Sequence, residues 1–150
     1  MSGLLLDTNV ISELINPTPA PDVVGWVSRQ QVGDLYLSAV TIGELARGVA
    51  RLPGSRKRDR LDHWVSNTLP RQFEGRILPF DHGAAVIWGT LMGEGDRNGR
   101  PRSAADAQIA ATALRHGLGI ATRNLADFED MGVTLINPWT APADLSRPIE

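Results

Sequence analysis

The chain has 150 residues, 42% hydrophobic and 21% charged, with no cysteine and a net charge of −2 from 15 basic and 17 acidic residues. That length suits one domain, which buries roughly two-thirds of its unfolded surface and needs no covalent staples. The missing cysteines exclude a disulfide framework, thiolate metal sites and a cysteine nucleophile. The charge balance excludes a histone-like polycation, so any nucleic-acid contact is local. No apolar run approaches the ~20 residues needed to span a bilayer. Ser2-Gly3 leads straight into Leu4-Leu5-Leu6-Asp7 without a basic start or a small-residue cleavage site. The expectation is a cytoplasmic protein with no membrane partner.

Leu4-Leu5-Leu6 reads as a short apolar strand that stops at the polar Asp7-Thr8-Asn9. Val10 to Ile15 forms a turn or two of helix, halted by Pro17, Pro19 and Pro21. After Pro21 and Asp22, a favourable helix start, Val23, Val24, Trp26 and Val27 carry helical spacing. Leu35 to Ser38 is a second strand, and a helix from Thr41 to about Leu52 sets Ile42, Leu45 and Val49 on one face. Pro53-Gly54 breaks that helix, and the next, from about Ser55, turns Leu61, Trp64, Val65 and Leu69 inward. Ile77 to Phe80 reads as a short edge strand, because Pro79 does not suit a central one. Ala84 to Met92 is helical, Gly93 to Pro101 a loop, and Ser103 to Arg115 a strong helix that Gly117 ends. Gly119 to Thr122 is a further apolar strand, Leu125 to Met131 a short helix and Val133 to Ile136 the last strand. Strands alternate with helices and nothing repeats. The class is therefore α/β, a central parallel sheet flanked by helices on both faces, with the domain over 1–139 and a polar tail over 140–150.

Open parallel sheets bind ligands beyond the carboxyl ends of their strands. Asp7 ends the first strand, and Glu44 sits in the first turn of the helix after the second. Asp106 lies in the first turn of the helix from Ser103, and Asn124 and Asp127 follow the strand ending at Thr122. Each has an ordinary reading. Thr41-x-x-Glu44, Ser103-x-x-Asp106 and Asn124-x-x-Asp127 look like capping boxes, and Asp7 suits the cap of a helix at Thr8. Capping does not explain the combination of several carboxylates and an amide at one end of one sheet. Two carboxylates about 4 Å apart repel by about 4 kcal/mol at an effective dielectric of about 20, so the group is tenable only with cations or protons. Oxygen ligands alone suit Mg²⁺ or Mn²⁺ rather than zinc. Such an ion acidifies water and stabilises in-line displacement at phosphorus. The residues read as a divalent-metal phosphoryl-transfer site.

Five stretches in order carry a family resemblance: Leu4 to Glu13, Leu37-Ser38 with Thr41 and Glu44-Leu45, Ala105-Asp106 with Ile109 to Ala113, Ala121 to Asn124 with Asp127-Phe128, and Asn137-Pro138-Trp139. With them the chain resembles a PIN-domain ribonuclease of the VapC/FitB kind, the toxin of bacterial toxin–antitoxin pairs. The resemblance implies metal-binding acids at Asp7, Glu44 and Asp106. The fourth acidic position falls on Asn124, with Asp127 one turn on as a source of charge, and either can face the metal. Thr122 falls on the supporting hydroxyl position, suited to orient a metal-bound water, and Thr8 and Asn9 hold the Asp7 loop. The resemblance further implies hydrolysis of RNA with Mg²⁺ or Mn²⁺, leaving a 5′-phosphate and a 3′-hydroxyl, with no covalent enzyme intermediate. It implies a homodimer and a VapB/FitA-type antitoxin that reaches operator DNA. Leu61 and Trp64 are expected on the antitoxin or dimer surface.

Arg97, Arg100 and Arg102 precede the Asp106 helix and Arg123 adjoins the pocket, so these four are the expected RNA contacts. The basic run from Arg47 to Arg60 fits either phosphate contact or a solvated helix face. Trp26, Trp64, Trp88 and Trp139 read as core or subunit contacts rather than base-stacking platforms. The three histidines share no ligand spacing. Two other classes remain open. A haloacid-dehalogenase-like phosphatase also starts with a strand ending in Asp, but wants a second Asp where Asn9 stands and a conspicuous later lysine, whereas Lys57 lies on a surface-like run. A non-catalytic nucleic-acid-binding module would keep the fold and lose the acids.

Overall fold

The computed structural model describes residues 3–141. The expected tail therefore lies outside the described residues from position 142 onward. The elements run β1 (Leu4–Leu6), α1 (Thr8–Leu14), α2 (Pro21–Arg29), β2 (Leu35–Ser38), α3 (Ala39–Ala50), α4 (Arg56–His63), α5 (Leu69–Gln72), β3 (Ile77–Leu78), α6 (His82–Arg97), α7 (Ala104–Arg115), β4 (Gly119–Ala121) and β5 (Leu135–Ile136). The five strands form one parallel sheet in the order β3-β2-β1-β4-β5. The chain leaves β1 towards β2 and β3, then crosses to β4 and β5 on the other side. The order reverses between β1 and β4, and such a point opens a crevice at the strands' carboxyl ends.

β1 shows why a run of three leucines works here. Leu4 and Leu6 face one core with Val10, Trp26, Leu37, Leu45 and Val65, while Leu5 faces the other with Leu91, Ile109, Ile120 and Phe128. A central parallel strand is covered on both sides, so it is apolar throughout rather than alternating. α7 contributes Ala110, Ala111 and Ala113 to this second layer, all fully buried, and these small side chains let the helix lie close to the sheet. Pro79 follows β3 on the sheet edge, as its missing N–H requires. Gly117 takes φ of 67° just after α7, the left-handed turn that ends the helix.

Several expected boundaries shift. Ser38 caps α3 by accepting from the Val40 N–H at 3.0 Å, so the helix begins at Ala39 rather than Thr41. Leu125–Phe128 is a 3₁₀ turn, shorter than the helix expected to Met131, and β5 is shorter than the strand expected from Val133. Between α4 and α5, Trp64–Thr68 widens into a π turn in which the Leu69 N–H reaches back to the Trp64 carbonyl. Pro70 follows, and the widened turn accommodates a residue that cannot donate in a regular ladder.

The largest correction concerns 93–101, expected as a loop. α6 instead continues through Gly93 and Gly95 to Arg97. Gly95 is buried, and a Cβ there would lie 2.7 Å from the Arg100 carbonyl oxygen and 3.1 Å from Arg102 Cγ. Of the glycines that suggested a loop, Gly95 permits a returning chain to pack against the helix. A Gly95→Ala substitution should therefore destabilise the protein by about 1–3 kcal/mol, the usual cost of overpacking. Urea denaturation measures this, and an unchanged midpoint would show that the contact yields freely.

Candidate active site

Asp7 follows β1 and Thr122 follows β4, so the parallel pairing of Leu6 with Ala121 brings them together at the carboxyl edge. The ladder extends through the Asp7 N–H, which donates to the Ala121 carbonyl at 2.9 Å. Asp7 is 6% exposed. Its Oδ1 accepts from the Thr8 N–H at 2.8 Å, capping α1. Its Oδ2 accepts from the Thr122 hydroxyl at 2.8 Å and from Asn9 Nδ2 at 3.2 Å. Thr8 in turn donates its hydroxyl to Glu44 Oε1 at 2.7 Å, and the buried Thr41 hydroxyl lies 3.5 Å away. Glu44 thus belongs to a network reaching the Asp7 loop, and the capping-box reading of Thr41-x-x-Glu44 gives way to the Ser38 cap. Ser103 does cap α7, accepting from the Asp106 N–H at 3.3 Å.

Asp7, Glu44, Asp106 and Asn124 line one open cavity of about 450 Å³, together with Thr8, Arg123 and Trp139. Asp127 lies on an adjoining cavity of about 260 Å³ that also includes Asp106 and Arg100. Asp106 is the wall between them. Asn124 makes its link through the backbone, its N–H donating to Thr122 Oγ1 at 3.0 Å. The two candidates for the fourth position therefore flank Asp106 from different cavities.

Burial pushes the Asp7 carboxyl up; the hydrogen bonds from Thr122 and Thr8 pull it down, and Glu44 and Asp127 push it up again. The half-buried Asp106 is pushed up to about 6 by burial, then by the charges of Asp127, Asp7 and Glu44. No Lys or Arg forms an ion pair with any of these four acids among the described residues. The negative charge is uncompensated from within the chain.

That donor set fits a hard divalent ion: oxygen ligands on one open cavity, with like charges that a cation would neutralise. The carboxylates do not form a closed cage. Among the described residues no three His, Cys, Asp or Glu side chains are gathered tightly enough to hold an ion as they stand. The Thr8 hydroxyl holds one oxygen of Glu44 by its 2.7 Å bond.

Thr122 has a different part from the one the resemblance implied. Its hydroxyl donates to Asp7 and accepts from Asn9 Nδ2 at 3.2 Å and from the Asn124 N–H, which fills one donor and two acceptor sites. Fully buried and fully bonded, it has no capacity left to orient a water. It is a positioning residue for Asp7. Thr122→Val removes the hydroxyl at nearly constant volume, leaving Asn9 and Asn124 donors unmet, and should cost about 2–3 kcal/mol of stability. Any nuclease activity should fall about 10–100-fold, the usual effect of losing a group behind a ligand. Chemical denaturation and initial rates check both, and a variant with native stability would contradict the network.

The arginines divide. Arg102 is committed to the protein: its side chain is 11% exposed, donates to the Leu91 carbonyl and to the Asp130 carbonyl at 2.8 Å, and lies 3.7 Å from Glu94. Its expected role as an RNA contact is replaced by tying α6 to the loop after Phe128. Arg97 is exposed at the end of α6 rather than on a loop. Arg100 is 79% exposed and pairs with Asp130 at 3.1 Å on the second cavity. Arg123 lies on the acidic cavity itself, its guanidinium carbon 5.2 Å from the Trp139 ring centre.

The place of Trp139 on the acidic cavity is what the sequence reasoning missed. Trp26 is core, as expected, and Trp88 donates to the Ala104 carbonyl at 3.1 Å. Trp139 packs against the core around β1, as expected, and also stands on the cavity wall, carried there by Asn137-Pro138 just beyond β5, with its backbone N–H bonded to Asn137 Oδ1 at 2.9 Å. Its place after a strand's carboxyl end, the rule that located the acids, was the available signal. Asn9, where the phosphatase alternative needs an acid/base, donates to Asp7 and accepts from the Arg123 N–H at 3.2 Å. That position is a brace. No helix among the described residues is long and apolar enough to cross a membrane.

Comparison with known proteins gives the arrangement its context. The family model described as PIN domain matches residues 4–133. A VapC ribonuclease of Sinorhizobium fredii is 40% identical over 136 residues, 91% of this chain and 97% of the relative. Toxin FitB of Neisseria gonorrhoeae is 42% identical over 136 residues, 91% and 98% of the two chains. A solved structure of FitAB bound to a DNA fragment superposes with a TM-score of 0.86 at 39% identity, covering 94% of this chain and 99% of that one. With a family match over most of its length and relatives this similar end to end, the chain belongs to the PIN-domain family, among the VapC and FitB toxins.

Proposed function

We propose that this protein is an endoribonuclease dependent on Mg²⁺ or Mn²⁺ and the toxin of a toxin–antitoxin pair. The observation that carries the reading is the uncompensated acid cavity: Asp7, Glu44 and Asp106 converge where the strand order reverses, in a chain that matches a VapC ribonuclease along nearly its whole length. When bound there, a divalent ion supplies positive charge that acidifies water and stabilises in-line displacement at phosphorus. Asp7, held rigidly by Thr8, Asn9 and Thr122, is the fixed ligand. Glu44 and Asp106 would complete the charged ligands, and Asn124 would offer a neutral oxygen on the same cavity. Water attacks the phosphodiester, the 3′-oxygen leaves, and the products carry a 5′-phosphate and a 3′-hydroxyl. Asp127, on the far side of Asp106, reinforces the negative field.

The partner follows from the relatives. FitAB was solved bound to DNA, which supports a VapB/FitA-type antitoxin that carries the toxin to operator DNA; the toxin is expected to be a homodimer. An apolar groove opens beside Glu44, lined by Leu45, Val49, Leu61, Trp64 and Val65, and supports the antitoxin or dimer surface expected at Leu61 and Trp64. A soluble nuclease of this kind acts in the cytoplasm. The test is cleavage of bacterial total RNA by antitoxin-free protein with Mg²⁺, with Mn²⁺ and with chelator. Discrete cuts that vanish with chelator support the reading, and equal cutting with chelator overturns it. A second arm measures divalent-ion binding to an Asp106→Asn variant, because undiminished binding would detach the ion from this cavity.

A further inference from the structure

Two side chains on the acidic cavity have no part in holding an ion. Arg123 is exposed, its backbone N–H fixed to Asn9 and its guanidinium over the Trp139 ring at 5.2 Å. Although four carboxylates lie nearby, Arg123 pairs with none of them among the described residues. A cation drawn to an aromatic face in preference to adjacent acids leaves its N–H groups available to an anion. Trp139 is half-buried: one side packs against the core around β1, and it also lines the cavity. Its rigid footing comes from the Asn137 side chain, which accepts from the Trp139 N–H.

The geometry points to Arg123 and Trp139 as a substrate-positioning pair, in which the exposed Arg123 side chain moves from the indole face onto the phosphate of a nucleotide next to the scissile bond and that nucleotide's base takes its place on the ring. This deepens the ribonuclease reading and rests on it. An indole accepts any base face, and stacking adds roughly 1–3 kcal/mol per base without hydrogen-bond readout. Arg supplies the planar, multiply donating contact that phosphate accepts. The chemistry also solves a local problem. A polyanion entering a ring of carboxylates is repelled, and a stacking platform at the mouth holds the strand by contacts that charge does not oppose. RNA is therefore the occupant favoured over a protein segment, for which the separate apolar groove beside Glu44 is available.

The test uses the full chain carrying Asp7→Asn, so that bound RNA stays uncut. The probes are a mixed-sequence single-stranded RNA of about a dozen nucleotides and inorganic polyphosphate of similar charge, which has no bases. On this background Trp139→Ala should weaken RNA binding about tenfold, within the range that loss of one stacked base produces, and leave polyphosphate binding unchanged. Trp139→Phe should retain most of the RNA affinity, and Arg123→Ala should weaken both probes. RNA should quench indole emission in the parent and less in Trp139→Phe. Equal effects of Trp139→Ala on both probes, or none on either, would overturn the assignment. So would normal RNA binding by Trp139→Ala combined with faster loss of a bound antitoxin. Circular dichroism melts of each variant separate misfolding from lost contact, and Trp139→Phe carries the test if the alanine variant melts early. Failure of the nuclease reading is distinguishable, since it appears as absent cleavage in the unsubstituted chain whatever the binding data show.

Discussion

An Asp7→Asn protein should fold and yet cleave RNA about a thousandfold more slowly than the unsubstituted chain, beyond the ~10–100-fold that follows loss of a group behind a ligand. The substitution is nearly isosteric and sits where four independent features meet: the end of β1, the cap of α1, the ladder to Ala121 and the Thr122 hydroxyl. An amide still accepts one of the hydrogen bonds that reach Asp7. What it removes is the charge on the most buried of the acids, at the point where Glu44 and Asp106 also face. Initial rates on a fluorescent RNA, with circular dichroism to verify the fold, measure the effect. Retention of more than a tenth of the rate would show that Asp7 only caps its helix.

The same cluster should make the metal-free protein less stable as pH rises, and Asp106→Asn should lessen that dependence. The Asp106 carboxyl stands at about 6 in the folded chain against 3.8 for the free group. Between those values the folded state holds a proton that the unfolded state has lost. The contribution is therefore fully present below 3.8 and disappears as pH rises through about 6. Discounted for the half-exposed position of Asp106, the loss is on the order of 1 kcal/mol, or about 2–4 °C in Tm for a chain of this size. Asp7, also pushed up by burial, acts in the same direction. An excess of divalent ion should flatten the slope, because it binds the ionised carboxylates and stabilises the fold by mass action. Asp106→Asn should melt higher than the parent at neutral pH without metal and gain less from added ion. A melting temperature that rises across this window, or an ion effect untouched by the substitution, would contradict the electrostatic account. In the proposed enzyme, this repulsion is what the bound ion relieves.

The sequence made the sheet and the acids legible for the same reason. Strands buried on both faces leave unbroken apolar runs such as Leu4-Leu5-Leu6, and the polar residue ending each run marks the carboxyl edge. Asp7 and Thr122 follow from that rule, and Asp106 follows from the Ser103 cap. Strand order was not legible, because crossover direction depends on how helices pack rather than on any local pattern. Local signals misled at Gly93 and Gly95, which lie inside α6, and at Gly95 close packing of the Arg100 carbonyl, not a turn, requires the glycine. They misled again at Arg102, whose long side chain reads as a solvated cation but crosses to two carbonyls in the folded chain. Saturation of the Thr122 hydroxyl and the placement of Trp139 depend on partners 115 and 16 residues away, Asp7 and Arg123, so no window along the chain contains them.

The central claim is that this acid cavity directs water at an RNA phosphodiester, and the chemical ends of the cleaved RNA test it most directly. Total bacterial RNA would be cut by antitoxin-free protein in Mg²⁺ and the new ends identified by their need for phosphatase or kinase before ligation. Ends bearing 5′-phosphate and 3′-hydroxyl, absent with the Asp7→Asn protein, are the predicted result. Ends bearing 5′-hydroxyl and 2′,3′-cyclic phosphate would place the attack on the RNA's own 2′-hydroxyl and contradict it.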